Sequence, residues 1–518
     1  HRPKSDGRTS YSFAELEQES NLIAAGLENY GISRGARTVL MVTPSLDFFA
    51  LTFALFKLGA VPVFIDPGMG LTNLKQCLQE AQPTAFIGIS KAHLARIILR
   101  WPTVTHLVTV GARLGWGGIS LEQVRALGKG HPWACPVLSS EDDAAILFTS
   151  GSTGVPKGAV YTHGNFGAQV ASLKRLYNIQ PGEVDLATFP LFALFAPALG
   201  MTAIVPDMDF TRPAMVNPSH IIQLVREHQV TNMFGSPALL NRVGRYGVKH
   251  GSLLPSLKRV ISAGAPVPAS TLETFSKLLE DEVDIYTPYG ATESLPVASI
   301  GSREILDETS ALTARGKGVC VGKPVEEIEL VVIRIDDRAI EHFSPELIVP
   351  QGAIGEITVT GPMVTRSYFN REEATKLAKM RGEDGRIWHR MGDLGYLDDL
   401  GRVWFCGRKA HRVPTNGGTL FSVPCEGIFN THPAVFRTAL VGVTDSHNKR
   451  EPVLCVELEQ KHAHANKESL RQELLSLGGA HELTRTIREI YFHSGFPVDI
   501  RHNAKIFREK LAVWAAKQ

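Results

Sequence analysis

The stretch LFTSGSTGVPKGAVYTHGN, Leu147 to Asn165, sets hydroxyls, glycines and one lysine directly behind the apolar run Ala144 to Phe148. Backbone N–H groups in such a turn converge on a polyphosphate, because glycine admits positive φ and close approach while hydroxyls and an ammonium supply further donors. Nucleotide binding through Thr149, Ser150, Gly151, Ser152, Thr153, Gly154 and Lys157 is the chemistry implied. A Gly/Ser-rich stretch is otherwise a flexible surface loop, and the strand-like run ahead of this one favours the cradle. The Walker pattern GxxxxGK[ST] is not met: Pro156 precedes Lys157, and Gly158 stands where a Ser or Thr would hold Mg²⁺. A P-loop NTPase is therefore disfavoured.

The elements that must carry this loop follow from apolar patterning. Thr38 to Val42, Val61 to Ile65, Thr84 to Ile89, His106 to Val110, Ala144 to Phe148, Thr202 to Val205 and Lys258 to Ser262 read as short strands, with helix-period segments such as Pro218 to His228 between them. Ser12-Phe13-Ala14-Glu15 has capping-box spacing and opens an amphipathic helix. The alternation predicts α/β layers with largely parallel sheets. From Gly352 to Tyr368 and Gly392 to Cys406 the texture turns β-rich. After Gly407 a unit of roughly a hundred residues has its own strands, Ala439 to Val443 and Val453 to Leu458, and helices. The expected division is a large N-terminal domain over 1–407, built of several subdomains, and a small α+β domain over 408–518, with the boundary near Phe405 to His411.

With 518 residues the chain exceeds one hydrophobic core. Its 54 basic and 52 acidic residues give a net charge of +2 and no reason to expect a nucleic acid. The six cysteines, Cys77, Cys135, Cys320, Cys406, Cys425 and Cys455, lack zinc-site spacing and fit a reducing compartment, so a cytoplasmic address is expected. The chain opens on His1 without a signal-like segment, which suggests that native N-terminal residues are missing. Phe48 to Ile65 and Leu186 to Pro206 are apolar, but Gly59, Pro62, Pro190, Pro197 and Gly200 interrupt them, so both read as interior or pocket wall rather than membrane spans.

Together with the loop, an ordered series of motifs resembles the acyl-adenylate-forming superfamily of acyl-CoA synthetases, luciferases and peptide-synthetase adenylation domains. The series runs Phe56 to Pro67, Thr149 to Gly158, Ala263-Gly264-Ala265-Pro266, Tyr289-Gly290-Ala291-Thr292-Glu293, Gly355-Glu356, Gly392-Asp393, Gly407-Arg408 and Asn503-Ala504-Lys505-Ile506. The resemblance implies ATP and Mg²⁺ as cofactors, with Glu293 holding the metal, a hard oxygen ligand suited to it. It implies Thr292 beside the α-phosphate, Tyr289 and Gly290 with Gly264-Ala265 around adenine, and Asp393 with Arg408 on the ribose. Lys505, on the small domain acting as a lid, meets the charge that builds during adenylation, as does Lys157. Asp398 and Asp399 read as hairpin-turn residues.

Departures from the superfamily pattern narrow the second step. Pro190-Leu191-Phe192-Ala193 lacks the histidine common in acyl-CoA synthetases, Ala410 stands at the hinge, Pro414 interrupts a strand near the thiol tunnel, and Ala504 replaces a glycine. Pro190 to Ala214 and Gly407 to Gly418 are similar to the β-lactone synthetases of bacterial long-chain olefin biosynthesis. That branch implies a 2-alkyl-3-hydroxy fatty acid as substrate, adenylated and then closed by its own β-hydroxyl with loss of AMP. Phe189, Phe192, Ala193 and Phe195, with Leu199 and Met201, are candidates for an acyl pocket; the bland reading makes them core. His163, His389 and His411 lie in or beside motifs and are candidate bases. Assembly with other olefin-pathway enzymes is expected by analogy. A medium- or long-chain acyl-CoA or acyl-carrier ligase, and a nucleotide-binding pseudoenzyme scaffold, are the alternatives.

Overall fold

Parallel strands with crossover helices need both sheet faces covered, so their strands are apolar on both sides and their helices amphipathic. The structure, a computed structural model, describes residues 10–65, 69–130, 133–149, 156–415, 417–444, 450–498 and 506–518. The first sheet has the order Ile119–Ser120, His106–Val110, Ala85–Ile89, Arg37–Met41, Val61–Ile65, Asp143–Thr149, Lys157–Thr162, parallel throughout except for its last, antiparallel pair. Phe13–Tyr30 starts on the capping box read from sequence, with Ser12 and Glu15 bonded reciprocally, and ends at Gly31, whose φ of 100° suits glycine. Leu46–Leu58, apolar nearly all round, is buried in the largest core cluster.

The second sheet runs Lys323–Pro324, Ser294–Gly301, Ile285–Ala291, Arg259–Ile261, Asn232–Phe234, Val184–Ala187, Thr202–Ile204; its last five strands are parallel. Helices Pro218–Glu227, Pro237–Lys249 and Ala269–Ser276 cover one face, their aliphatic stripes forming a second core with Phe275 and Leu240 fully buried. An antiparallel third sheet joins Val319–Cys320, Val403–Arg408, Ile387–Leu397, Gly355–Thr360 and Glu329–Ile333, with Lys379–Arg381 paired to Ile387–Leu397. The α/β class with parallel-rich sheets is therefore as expected, and the β-rich texture after Gly352 is this third sheet.

Beyond it, Val435–Thr444, Arg450–Leu458 and Glu489–Phe492 form a separate three-stranded sheet covered by Ser422–Phe429, Lys467–Gly479 and Arg508–Ala515. The helix Ser422–Phe429 also packs on the helix Ser310–Ala314, and an added Cβ at Gly427 would come 2.5 Å from Thr313 O. Among the described residues, no helix is long and apolar enough to cross a membrane.

Neighbouring strands of the second sheet pair Asn232 with Asp185 in register, and Asn232 Nδ2 donates to Asp185 Oδ1 at 2.5 Å in a fully buried setting. Burial pushes the Asp185 carboxyl up to about 7, and Asn232 Oδ1 is buried without a hydrogen-bond partner. Because the folded value lies above the unfolded one, this acid stabilises the fold below about pH 4 and loses its contribution as pH rises towards 7. Asp185→Asn is thus expected to raise the melting midpoint relative to the parent by about 2 °C or more at pH 8 and by less at pH 5. A gap that does not change with pH, followed by circular dichroism, contradicts this.

Candidate active site

The parallel strands of the second sheet all end at one edge, the edge where open α/β sheets bind ligands. Gly264 and Ala265 follow Arg259–Ile261 there, Gly264 at φ 95°. The strand Ile285–Ala291 ends in a hairpin: Ala291 pairs with Ser294, so Thr292 and Glu293 are its two-residue tip. A register shift between Tyr289 and Ala291 bulges the strand at Gly290, where a Cβ would meet Ser294 O at 2.6 Å, so glycine is required. The signature YGATE is, in structural terms, a bulge and a tip.

Three ties hold that tip. Tyr161 donates its hydroxyl to Thr292 O at 2.5 Å. Glu293 O accepts from Thr365 N at 2.9 Å and from Thr365 Oγ1 at 3.2 Å. Tyr368 donates its hydroxyl to Glu293 Oε1 at 2.5 Å. Behind Thr365 stands Lys379, buried, its Nζ donating to Thr365 O at 2.5 Å and to Thr365 Oγ1 at 3.3 Å. Burial pulls the Lys379 amine down to about 7, against the opposing pull of Glu293. Burial and the Glu293 charge both push the Tyr368 hydroxyl far above its ordinary range, so it stays a donor.

Lys157 joins this group from the first sheet. Its Nζ lies 5.0 Å from the Tyr368 ring centroid, a cation–π placement. The approach is fixed by backbone: Phe369 N donates to Gly158 O at 2.8 Å and Val160 N to Ser367 O at 3.2 Å, which lays residues 367–369 along the strand Lys157–Thr162. Ser150, Gly151, Ser152, Thr153 and Gly154, and Lys505, lie outside the described residues, as does the side chain of Thr149, whose backbone ends the strand that pairs with Lys157.

A second group lies on the third sheet. Asp393 and Arg408 face each other across paired strands, with Arg408 Nη1 3.0 Å from Asp393 Oδ1, and Tyr289 donates its hydroxyl to Asp393 Oδ2 at 2.7 Å. Burial raises the Asp393 carboxyl and Arg408 opposes the rise. Although close, Arg408 is not aligned for a hydrogen bond, so Asp393 Oδ1 is a buried carboxylate oxygen with no donor in line. Such an atom retains unused acceptor capacity. Asp398 takes N–H groups of Leu400 and Arg402 and side-chain donors of Arg402 and Trp404, the turn role expected of it.

The acyl candidates divide. Phe189 and Phe192 are half-buried and cluster with Phe234, the Phe192 and Phe234 rings 4.5 Å apart; Phe195 tilts against Phe166, which stacks on Tyr161. Ala193 is fully buried, and Leu199 and Met201 lie in a core cluster with Tyr177 and Ile179, the bland reading for these three. Of the histidines, His411 bonds Glu509 and is pulled down to about 4 by burial; His389 is fully buried, held low by burial and Lys379, and bonded at Nδ1 to Ala378 O. His163, its value lowered by burial, has a buried Nε2 without a partner.

Sequence reading did not single out Tyr161, Phe234, Thr365, Tyr368 or Lys379. The one signal for Lys379 is a charge set between Ala378 and Met380 in a strand-length run. Among the described residues, no group of three or more His, Cys, Asp or Glu side chains gathers as a metal site, and the acid at the tip, Glu293, stands with hydroxyls.

Residues 2–369 match the family described as AMP-binding enzyme. The chain is 52% identical to the olefin beta-lactone synthetase of Xanthomonas campestris over 98% of its own length and 91% of the relative's. It is likewise 52% identical to the olefin beta-lactone synthetase of Stenotrophomonas maltophilia, over the same shares. Among solved structures it superimposes on the amide bond synthetase McbA of Marinactinospora thermotolerans with a TM-score of 0.80 and 22% identity, covering 98% of this chain and 95% of that one. ATP-bound MatB of Rhodopseudomonas palustris gives 0.76 at 21% identity, covering 97% and 93%. Identity of that extent, spanning the hairpin tip and the Asp393–Arg408 pair alike, means that the chain belongs to the family of AMP-binding enzymes and is an ATP-dependent adenylate-forming ligase.

Proposed function

We propose that this chain activates a long-chain 2-alkyl-3-hydroxy fatty acid with ATP and closes the acyl-adenylate to a β-lactone, releasing AMP and pyrophosphate. The observation that carries the reading is the 52% identity, along 98% of the chain, to two olefin beta-lactone synthetases. In the first step a carboxylate oxygen attacks the α-phosphorus, and the bond to pyrophosphate breaks. In the second, the substrate's own β-hydroxyl oxygen attacks the acyl carbon, its proton leaves to a base, and the bond to AMP breaks. Tethering makes this attack intramolecular, which replaces the thiol site that relatives need.

The residues have separate tasks. Asp393 Oδ1, buried and without an aligned donor, accepts the ribose hydroxyls, with Arg408 beside it opposing the rise that burial causes. Gly264, Ala265, Tyr289 and Gly290 flank the base, and Thr149 to Gly154 cradle the phosphates. Lys157, beside Tyr368, and Lys505, carried by 408–518 as a lid, offset the charge as anion meets polyanion. Phe189, Phe192 and Phe195, extended by Phe234, form an apolar wall for alkyl chains. Assembly with neighbouring enzymes of olefin synthesis, and a cytoplasmic place for it, belong to the same reading.

A magnesium ion fits the tip. Tyr368 occupies one Glu293 oxygen, so the other is left to a cation, and Mg²⁺ takes one or two carboxylates and fills its octahedron with phosphate oxygens and water. Bound there, it would offset the negative charge of the phosphates.

Purified protein given ATP, Mg²⁺ and a 2-alkyl-3-hydroxy fatty acid is expected to form the β-lactone whether or not CoA is present; a thioester formed only with CoA overturns the reading in favour of a ligase. Glu293→Gln is expected to slow pyrophosphate exchange into ATP by about 10²- to 10³-fold. Lys379→Met leaves Thr365 O buried and unpaired, so it is expected to lower exchange about tenfold or more and to raise the Mg²⁺ needed for half-maximal rate. Unchanged Mg²⁺ dependence with a lowered melting midpoint would assign Lys379 to stability alone.

A further inference from the structure

The helix Ser90–Leu99 turns its apolar side outward. Its inner side is His93, fully buried, with Ala92 and Leu99 packed against the core of the first sheet. The opposite side carries Leu94, Ile97 and Ile98, which are 57%, 46% and 67% exposed and follow the i, i+3, i+4 spacing of one helical face. An ordinary surface helix turns polar residues that way. Residues 111–118 run along its flank: Ser90 Oγ donates to Ala112 O at 2.6 Å, and Trp116 stacks on His93 at 5.2 Å. This segment adds Leu114, 71% exposed, to the apolar surface.

The stretch of sequence that carries the patch has charge of one sign. Between Glu80 and Glu122 the sequence has no acidic residue and four basic ones, Lys91, Arg96, Arg100 and Arg113. Lys91, Arg100 and Arg113 are exposed, while Arg96 is half-buried and reaches Trp116 O at 3.5 Å. Elsewhere the chain balances its charges almost evenly, so an acid-free stretch of this length is a local feature.

We propose that this face seats the protein on an anionic lipid bilayer, with Leu94, Ile97, Ile98 and Leu114 dipping below the headgroups and Lys91, Arg100 and Arg113 against lipid phosphates. Apolar residues at the solvent pole with cations at the margin are what an interfacial helix presents to such a surface. A protein partner would need an aliphatic centre rimmed by acids alone, whereas an anionic bilayer supplies both properties everywhere. The proposed contact is with the bilayer surface, and no described helix is long and apolar enough to cross a membrane. The surface argument stands without the lactone reading, although a lipid acid with two alkyl chains also resides in bilayers.

The test is co-sedimentation of the full chain with phosphatidylcholine vesicles, with and without about one third phosphatidylglycerol. The expected result is at least about tenfold more pelleted protein with the anionic vesicles, released by about 0.5 M NaCl. Ile98→Glu, and separately Leu94→Ser with Ile98→Ser, should reduce pelleting about tenfold. The triple change Lys91→Gln, Arg100→Gln, Arg113→Gln should remove the response to salt. All variants should keep the parent melting midpoint and the parent rate of pyrophosphate exchange in vesicle-free buffer, which keeps this test apart from that of the reaction. Parent protein that stays in the supernatant, or variants that pellet like the parent, overturn the proposal. An oligomer of the parent that Ile98→Glu dissolves overturns it too, and gives the face to a second copy of the chain.

Discussion

The site depends on holding a two-residue hairpin tip still. A hairpin end at the edge of a sheet has few neighbours of its own, and Thr292 and Glu293 are only half-buried. What fixes them comes from elsewhere in the chain: a tyrosine on the first sheet holds Thr292 O, and Thr365 and Tyr368, from the segment after the third sheet's strand Gly355–Thr360, hold both ends of Glu293. Three sheets therefore meet at two residues. The same segment runs on along Lys157–Thr162, so the peptide that clamps the carboxylate also sets where the Lys157 ammonium sits relative to it. On the proposed reading, a nucleotide bound between them would meet an acid and a cation whose separation is already fixed, which is the preorganisation that charge-developing reactions reward.

Such a site has to bury ionisable groups, and each is balanced by a specific neighbour. Burial raises the Asp393 carboxyl and Arg408 opposes the rise, while the absence of an aligned hydrogen bond from Arg408 leaves Oδ1 without a partner. Burial lowers the Lys379 amine, and the Glu293 charge opposes the loss. Glu356 shows the structural counterpart: it is buried against Arg390 and Lys409, with Arg390 Nη2 at 2.6 Å, far more fully paired than Asp393. Complete pairing fits a carboxylate that supports the scaffold, and the oxygen of Asp393 left without a donor is what supports the proposed ligand role.

Much of this was legible in sequence, and the reasons for the rest are physical. The parallel sheets, the capping box at Ser12 and the β-rich texture after Gly352 follow from local periodicity, which a single chain displays. Glu293, Asp393 and Arg408 were legible because short motifs encode local geometry: a bulge needs Gly290, and cross-strand neighbours recur at fixed spacing. Tyr161, Tyr368 and Lys379 were not, since each reaches its partner across 14 or more positions, from Lys379 to Thr365 at the nearest to Tyr161 and Thr292, 131 apart, at the farthest. A tyrosine in a strand reads as core whether or not its hydroxyl holds a catalytic turn. The apolar segment Leu186 to Pro206 was ambiguous for the same reason; only packing separates the Phe189–Phe192–Phe234 wall from Leu199 and Met201 in the interior.

The linker completes the logic of a tethered nucleophile. Ala410 supplies no charge, but its neighbours do: Lys409 Nζ lies 3.0 Å from Glu356 Oε1 and donates to Asp336 O, while Arg412 donates to Asp337. Turning the unit after Arg408 about this linker would strip Lys409 from a carboxylate that is 1% exposed and would open the close approach of Gly427 to Thr313. Removing one partner from a buried pair is strongly unfavourable, because it leaves a buried charge uncompensated. On the proposed reading the substrate carries its own attacking hydroxyl, so its second step needs no such turn, and the clasp on the linker is compatible with that chemistry.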